Sequence, residues 1–307
     1  MNDRLSVSYA PHIRDGITTR RIMLDVIIAL SPALMASIAI FGPRSLMLTC
    51  VCVAFCVCLE WAYETLMKQP VTITDLSAVI TGMLFAFNLP VGIPIWQAAV
   101  GSAVAIIMVK QLFGGIGRNF ANPAITARVF MFLAFSASMT SWERLPDATS
   151  GATPLALLRK GDIGLLPGIW DMVIGTRGGC LGETSAAALA IGGAYLLARR
   201  VISWHIPAVY LGTVFVLSAA LDMQPVYQLF AGGLFLGAIF MATDYSTSPQ
   251  MNPGKIIFGI GCGALTVMIR KYGSYPEGVS FAILIMNAVV PLINKGTMTK
   301  PLGAGKI

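Results

Sequence analysis

Long apolar runs alternate with short polar breaks along this chain, and ten runs can be marked: 23–41, 46–63, 76–89, 95–109, 125–137, 184–198, 206–221, 229–242, 256–269 and 279–293. A straight helix needs about 20 apolar residues to cross a bilayer, so the longer runs predict membrane-spanning helices. Several runs are shorter than that. Those ending at Asn88-Leu89-Pro90 and at Thr243-Asp244 are expected to be half-helices that stop inside the protein, because irregular backbone at membrane depth survives only where protein or a cavity surrounds it. The residues before position 23 are polar and basic, with no apolar core ahead of a small-residue site. The first run is therefore expected to be retained as a span. The fold class predicted is an all-α integral membrane protein of about ten transmembrane helices.

Composition agrees. Of 307 residues, 56% are hydrophobic and only 11% are charged, against about 25% charged in soluble domains. The net charge of +7 raises the question of nucleic acid, and the positions of the basic residues answer it. With an even number of spans both termini share one side. That side would hold Arg4, Arg14, Arg20, Arg21, Lys68, Lys110, Arg118, Arg128, Arg199, Arg200, Lys255, Lys295, Lys300 and Lys306, 14 residues against 7 on the other. Basic residues gather on the cytoplasmic face, so the charge is read as topology: both termini in the cytoplasm, a bilayer as partner and no nucleic acid.

The spans divide five and five around one long segment, 138–183. The expected organisation is a single membrane domain, with one five-helix repeat over 23–137 and a second over 184–293. Five being odd, the second repeat is inverted. The similar runs Gly82-Met83-Leu84-Phe85-Ala86-Phe87 and Gly233-Leu234-Phe235-Leu236-Gly237-Ala238 fit that arrangement. At about 100° per residue, Cys52 and Cys56 share one helix face while Cys50 and Cys58 lie on another. Small buried side chains and a metal site are the two readings, and one cluster cannot readily be bound by all four. Asp25, Glu60 and Arg128 lie near span ends and are expected to find structural ion-pair partners.

A connection of more than 40 residues in an otherwise economical chain is usually functional. It contains Asp147-Ala-Thr-Ser150-Gly151-Ala152-Thr153-Pro154. This stretch resembles the flavinylation motif of the membrane subunits shared by Rnf complexes and sodium-pumping NADH:quinone reductases. Four further segments follow in order: Gly114 to Ala124 with Asn119 and Asn122, Gly178 to Ser185 with Glu183 and Thr184, Phe240 to Asp244, and Tyr275 to Ala282 followed by Met286-Asn287. Together they extend the resemblance over nearly the whole chain. The long amino-terminal extension expected of the quinone-reductase B-type subunit is missing, so the Rnf D-type subunit is the better match.

The resemblance implies a subunit of a redox-driven ion translocase, coupling electron transfer between ferredoxin and NAD to Na⁺ or H⁺ transport in a bacterial or archaeal inner membrane. It implies FMN joined to Thr153 by a phosphoester, with Asp147, Ser150, Gly151 and Ala152 as the motif around it. A flavin transferase would attach the FMN, and a second flavin-carrying subunit would be among the neighbours. The chemistry suits the residues: the threonine hydroxyl attacks a flavin dinucleotide's pyrophosphate and AMP leaves. Pro154 disfavours a helix at Thr153. In the quinone-reductase relatives the two asparagines lie near a non-covalent riboflavin, which makes Asn119 and Asn122 candidates for a second flavin. Capping or turn closure is their alternative. Glu183 and Thr184 stand at a helix start, where capping and phosphate binding compete. Thr243 and Asp244 are read as a cap ahead of an ion ligand. No general acid, nucleophile or metal triad is expected, since the cofactor carries the chemistry. A flavin-free small-solute channel or transporter is the rival architecture; it has no use for a modification motif at Thr153.

Overall fold

Burial runs opposite to a soluble protein along much of the chain. Met35, Leu133, Ile191, Val216, Met268 and Leu292 are exposed, while Glu60, Lys110, Arg128, Arg270 and Asn88 are buried. A surface of that kind faces lipid, and the polar groups pair inside. The computed structural model describes residues 18–141, 143–144, 149–150, 153–161, 164, 166–175, 179–183, 185–273 and 277–298.

The elements are α1 (Thr19–Phe41), α2 (Pro43–Leu66), α3 (Ser77–Phe87), α4 (Ile95–Ala103, continued as a π-helix over Val104–Gln111), α5 (Pro123–Ala134), α6 (Ser136–Met139), α7 (Pro154–Lys160), α8 (Ile169–Ile174), α9 (Ala186–Ala198), α10 (His205–Ala220), α11 (Pro225–Phe230), α12 (Leu234–Leu236, continued as a π-helix over Gly237–Met241), α13 (Asn252–Tyr272) and α14 (Val279–Thr297). A two-residue antiparallel ribbon pairs Glu143 with Ser150 in the segment before α7. Four helices, α1, α2, α13 and α14, are long and apolar enough to cross a membrane, and five more apolar helices have 10–17 residues.

The eighth expected run, 229–242, is not one helix. Chain direction breaks after α11: Ala231 is extended and Gly232 takes a φ of +68°. The carbonyls freed by the break explain how it is sustained. Those of Gln228 and Ala231 accept from the Arg270 guanidinium, which supplies the donors that a continuing helix would otherwise provide.

Close helix crossings are built on small residues, as lipid-embedded packing requires. A Cβ at Gly192 of α9 would overlap the Ala29 carbonyl oxygen of α1. The α1–α9 crossing thus depends on glycine. Cys52 and Cys56 are buried and Cys50 and Cys58 exposed, all as free thiols; among the described residues no cluster of metal-ligating side chains forms. The two faces read from the sequence are therefore a buried seam and a lipid-facing one.

Candidate functional site

The two shortest spans end against one another. α3 stops at Asn88, whose side-chain Nδ2 donates to the Leu84 carbonyl at 2.6 Å and reaches the Met241 sulfur at 3.7 Å. Met241 is the last residue of the π-helical continuation of α12. Neither helix has its own continuation to satisfy its terminal carbonyls. The backbone N–H groups of Leu181 and Gly182 donate to Leu89 and Phe87, and the Asn122 side chain donates to Met241. Half-helices stopping inside the protein are thus present, and partners from distant segments close them.

Arg128 sits at the middle of α5, on the inside. One guanidinium nitrogen donates to Asn88 Oδ1 at 2.6 Å; the other donates to Glu183 at 2.7 Å and also to Glu277. Removing one partner of such a buried set costs about 3–5 kcal/mol, because an uncompensated charge is left behind. The position corrects the reading of Arg128 as a residue of the cytoplasmic face: it belongs to the interior. The Glu277 carboxyl, in the segment leading into α14, is pushed up from 4.5 to about 8 by burial, against the attraction of Arg128 and with Glu183 alongside. A second buried pair, Lys110 with Glu60, has Nζ–O distances of 2.7 and 2.8 Å and a third bond to Ser77 at 2.6 Å. The π-turn of α4 sets Gln111 beside Lys110 on the same carboxylate, at 2.9 Å. Asp25 pairs with Arg199 at 3.3 Å and accepts from Tyr195. All three charges expected to pair structurally do so.

On the side where α1 and α3 begin and α4 and α9 end, a cleft with about 800 Å³ of empty space opens between Met23, Lys110, Asn119, Asn122, Phe240 and Asp244. The two candidate asparagines differ there. Asn122 caps α5: its Oδ1 accepts from Ala124 and Ile125 at 3.0 and 3.2 Å, and its Nδ2 is spent on Met241. Asn119 Oδ1 is buried with no hydrogen-bond partner among the described residues. An orphan acceptor lining a cleft calls for a donor from elsewhere, and a flavin ring N–H is of the right kind. Asp244 closes its own turn, accepting from the Ser246 and Thr247 hydroxyls at 3.0 and 3.1 Å, in agreement with the cap reading.

At the opposite end, Thr153 is half-buried and extended (φ −66°, ψ 154°) and caps α7, its Oγ1 accepting from Ala156 at 3.3 Å. Among the described residues the hydroxyl makes no other hydrogen bond, so the residue fits a phosphoester. Ser150 lies in the ribbon; Asp147, Gly151, Ala152 and Thr184 lie outside the described residues. Glu183 does not cap α9. Ser185 does, accepting from Ala188 at 3.2 Å, while Glu183 turns inward to Arg128. Sequence reasoning missed Asn88 and Glu277 as partners of Arg128, Cys180, whose sulfur accepts from Arg128 at 3.5 Å, and Arg270, which holds the break after α11. The signal was available for Arg270 and Lys110: both are charges at the very ends of apolar runs, counted only for topology.

A family described as "NQR2, RnfD, RnfE family" matches residues 6–303. This chain belongs to that family. Its relatives include the D subunit of the Na(+)-translocating ferredoxin:NAD(+) oxidoreductase complex of Acetobacterium woodii, 47% identical over 100% of this chain and 98% of the relative. The D subunit of the proton-translocating ferredoxin:NAD(+) oxidoreductase complex of Clostridium ljungdahlii is 40% identical over 97% and 96%. That of the ion-translocating oxidoreductase complex of Stutzerimonas stutzeri is 39% identical over 90% and 89%. Within the family, the motif-bearing segments read from the sequence fall at α5, α9, α12 and α14.

Proposed function

We propose that this chain is the flavin-carrying D-type membrane subunit of a redox-driven ion translocase that exchanges electrons between ferredoxin and NAD. The observation that carries the reading is the full-length likeness, at 47% identity, to the D subunit of such a complex. The two relatives named for their ion differ, one for Na⁺ and one for the proton, and the reading takes a monovalent cation of that class as the transported ion. FMN bound at Thr153 would supply reversible one- and two-electron chemistry, and the residues around α7 would hold it. The Thr153 hydroxyl, which donates to no described residue, its extended backbone and the following Pro154 support attachment there. The orphan Asn119 oxygen supports a second, non-covalent flavin in the cleft beside α1. A flavin transferase and a second flavin-carrying subunit are the partners this reading requires.

Replacing Thr153 by alanine in the host's own complex tests it. Membrane vesicles carrying the variant should contain the assembled complex yet lose ferredoxin-driven NAD reduction and the coupled ion uptake. Undiminished coupled activity with position 153 as alanine would rule the reading out.

A further inference from the structure

We infer that Arg270 is the cationic seat of the flavin carried on Thr153; the inference rests on the attachment proposed above. α7 begins one residue after Thr153 and packs Leu155 into the turn at Gly232. A Cβ at Gly232 would lie 2.5 Å from the Leu155 side chain and 3.4 Å from Arg270 Nη2. The attachment residue is therefore two positions along the chain from a side chain that shares this small space with Arg270. Beside it opens a cleft with about 890 Å³ of empty space, lined by Leu155, Leu158, Arg159, Gln228, Arg270 and Lys271.

Arg270 is only 3% exposed. Its hydrogen bonds go to the Gln228 carbonyl (2.6 Å), the Gln228 side-chain oxygen (3.0 Å) and the Ala231 carbonyl (2.9 Å), all of them neutral acceptors. Its Nε has no partner among the described residues. Of the acidic side chains nearby, Glu183 and Glu277 are bonded to Arg128, and Asp222, which also lines the cleft, forms no ion pair with Arg270 among the described residues. A buried guanidinium with neutral partners and a spare donor is expensive unless a negative group joins it.

FMN on Thr153 supplies one. Two electrons and one proton convert oxidised flavin to a reduced flavin anion, with the negative charge on the pyrimidine edge. A fixed cation at that edge favours reduction, which is how proteins tune a flavin. Leu155 and Leu158 offer apolar walls to the ring. A Cβ at Gly232 would also lie 3.7 Å from the Glu277 carboxyl, so the seat adjoins the charge network of Arg128, Glu183 and Glu277.

The purified complex is the material for the test, with Arg270→Met, Arg270→Lys and Leu158→Trp made in it. Mass on the Thr153 peptide, the flavin midpoint potential and iodide quenching of flavin fluorescence are the readouts. Arg270→Met should keep the FMN, lower its midpoint potential and raise iodide quenching severalfold, while Arg270→Lys stays nearer the wild-type potential. Should Arg270→Met fail to assemble, Leu158→Trp decides: filling the cleft should leave FMN attached but expose it to iodide. FMN attached at wild-type potential and wild-type quenching in Arg270→Met, or quenched no more than wild type in Leu158→Trp, overturns the seat alone. Absence of FMN from Thr153 in the wild type overturns the attachment and the seat with it.

Discussion

Asn119 and Asn122 are three residues apart in one loop, yet their amides are in different situations. Asn122 spends its oxygen on two helix N–H groups and its nitrogen on Met241; Asn119 leaves its oxygen unpaired among the described residues. Asn122→Ala should therefore cost stability, roughly 0.5–2 kcal/mol for a lost cap, without weakening a cleft flavin directly. Asn119→Leu should weaken extractable flavin roughly two- to tenfold, the worth of one neutral hydrogen bond, with little change in thermal unfolding. Equal flavin content in wild type and Asn119→Leu would return both residues to purely structural duty. Glu277 makes a prediction about pH. Its carboxyl is raised from 4.5 to about 8 when folded, so the folded state holds its proton more tightly than the unfolded chain. That contribution is complete below about pH 4.5 and is lost as pH climbs through 8. Thermal midpoints in detergent should fall across this window, and Glu277→Gln should flatten the slope. An unchanged slope in Glu277→Gln would assign the titration elsewhere.

Helices carry a different lesson. The runs 23–41, 46–63 and 279–293 lie within α1, α2 and α14, because uninterrupted apolar sequence needs only local hydrogen bonds to become a span. The run 229–242 was equally apolar and still broke, since the break depends on Arg270, distant in sequence, reaching the Gln228 and Ala231 carbonyls. The same holds for the site. Thr153 and the asparagine loop are legible as local motifs, whereas the Arg128–Glu183–Glu277 set joins three segments whose meeting no local pattern records. Two π-helical stretches, in α4 and after α12, likewise leave no mark in hydropathy. At the α1–α9 crossing the physics is local enough to test. With no room for a Cβ between position 192 and the Ala29 carbonyl, Gly192→Leu must push the helices apart and should cost about 1–3 kcal/mol or more by overpacking. The variant should lose assembled complex at the temperature where wild type is stable; normal yield and thermal stability would mean the helices cross elsewhere.

The whole molecule is a multi-pass membrane protein with clefts at the end where α1 begins and a further cleft at the end carrying α7. We propose that the end where α1 begins faces the cytoplasm. Setting aside Lys110, Arg128 and Arg270, which are buried, the basic residues still divide twelve to six in favour of that side, so the asymmetry does not rest on interior charges. Single cysteines at Ser141 and Thr299 in a cysteine-free variant should answer oppositely to an impermeant reagent on intact cells, with position 141 labelled. Labelling at 299 alone would invert the assignment. The central claim, that this subunit carries its flavin covalently, has a more direct test. Mass analysis of the peptide spanning Thr153, from protein made alongside a flavin transferase, should show an addition equal to FMN minus water, absent from Thr153→Ala. An unmodified Thr153 peptide, or the same addition mapped to another residue, would contradict it.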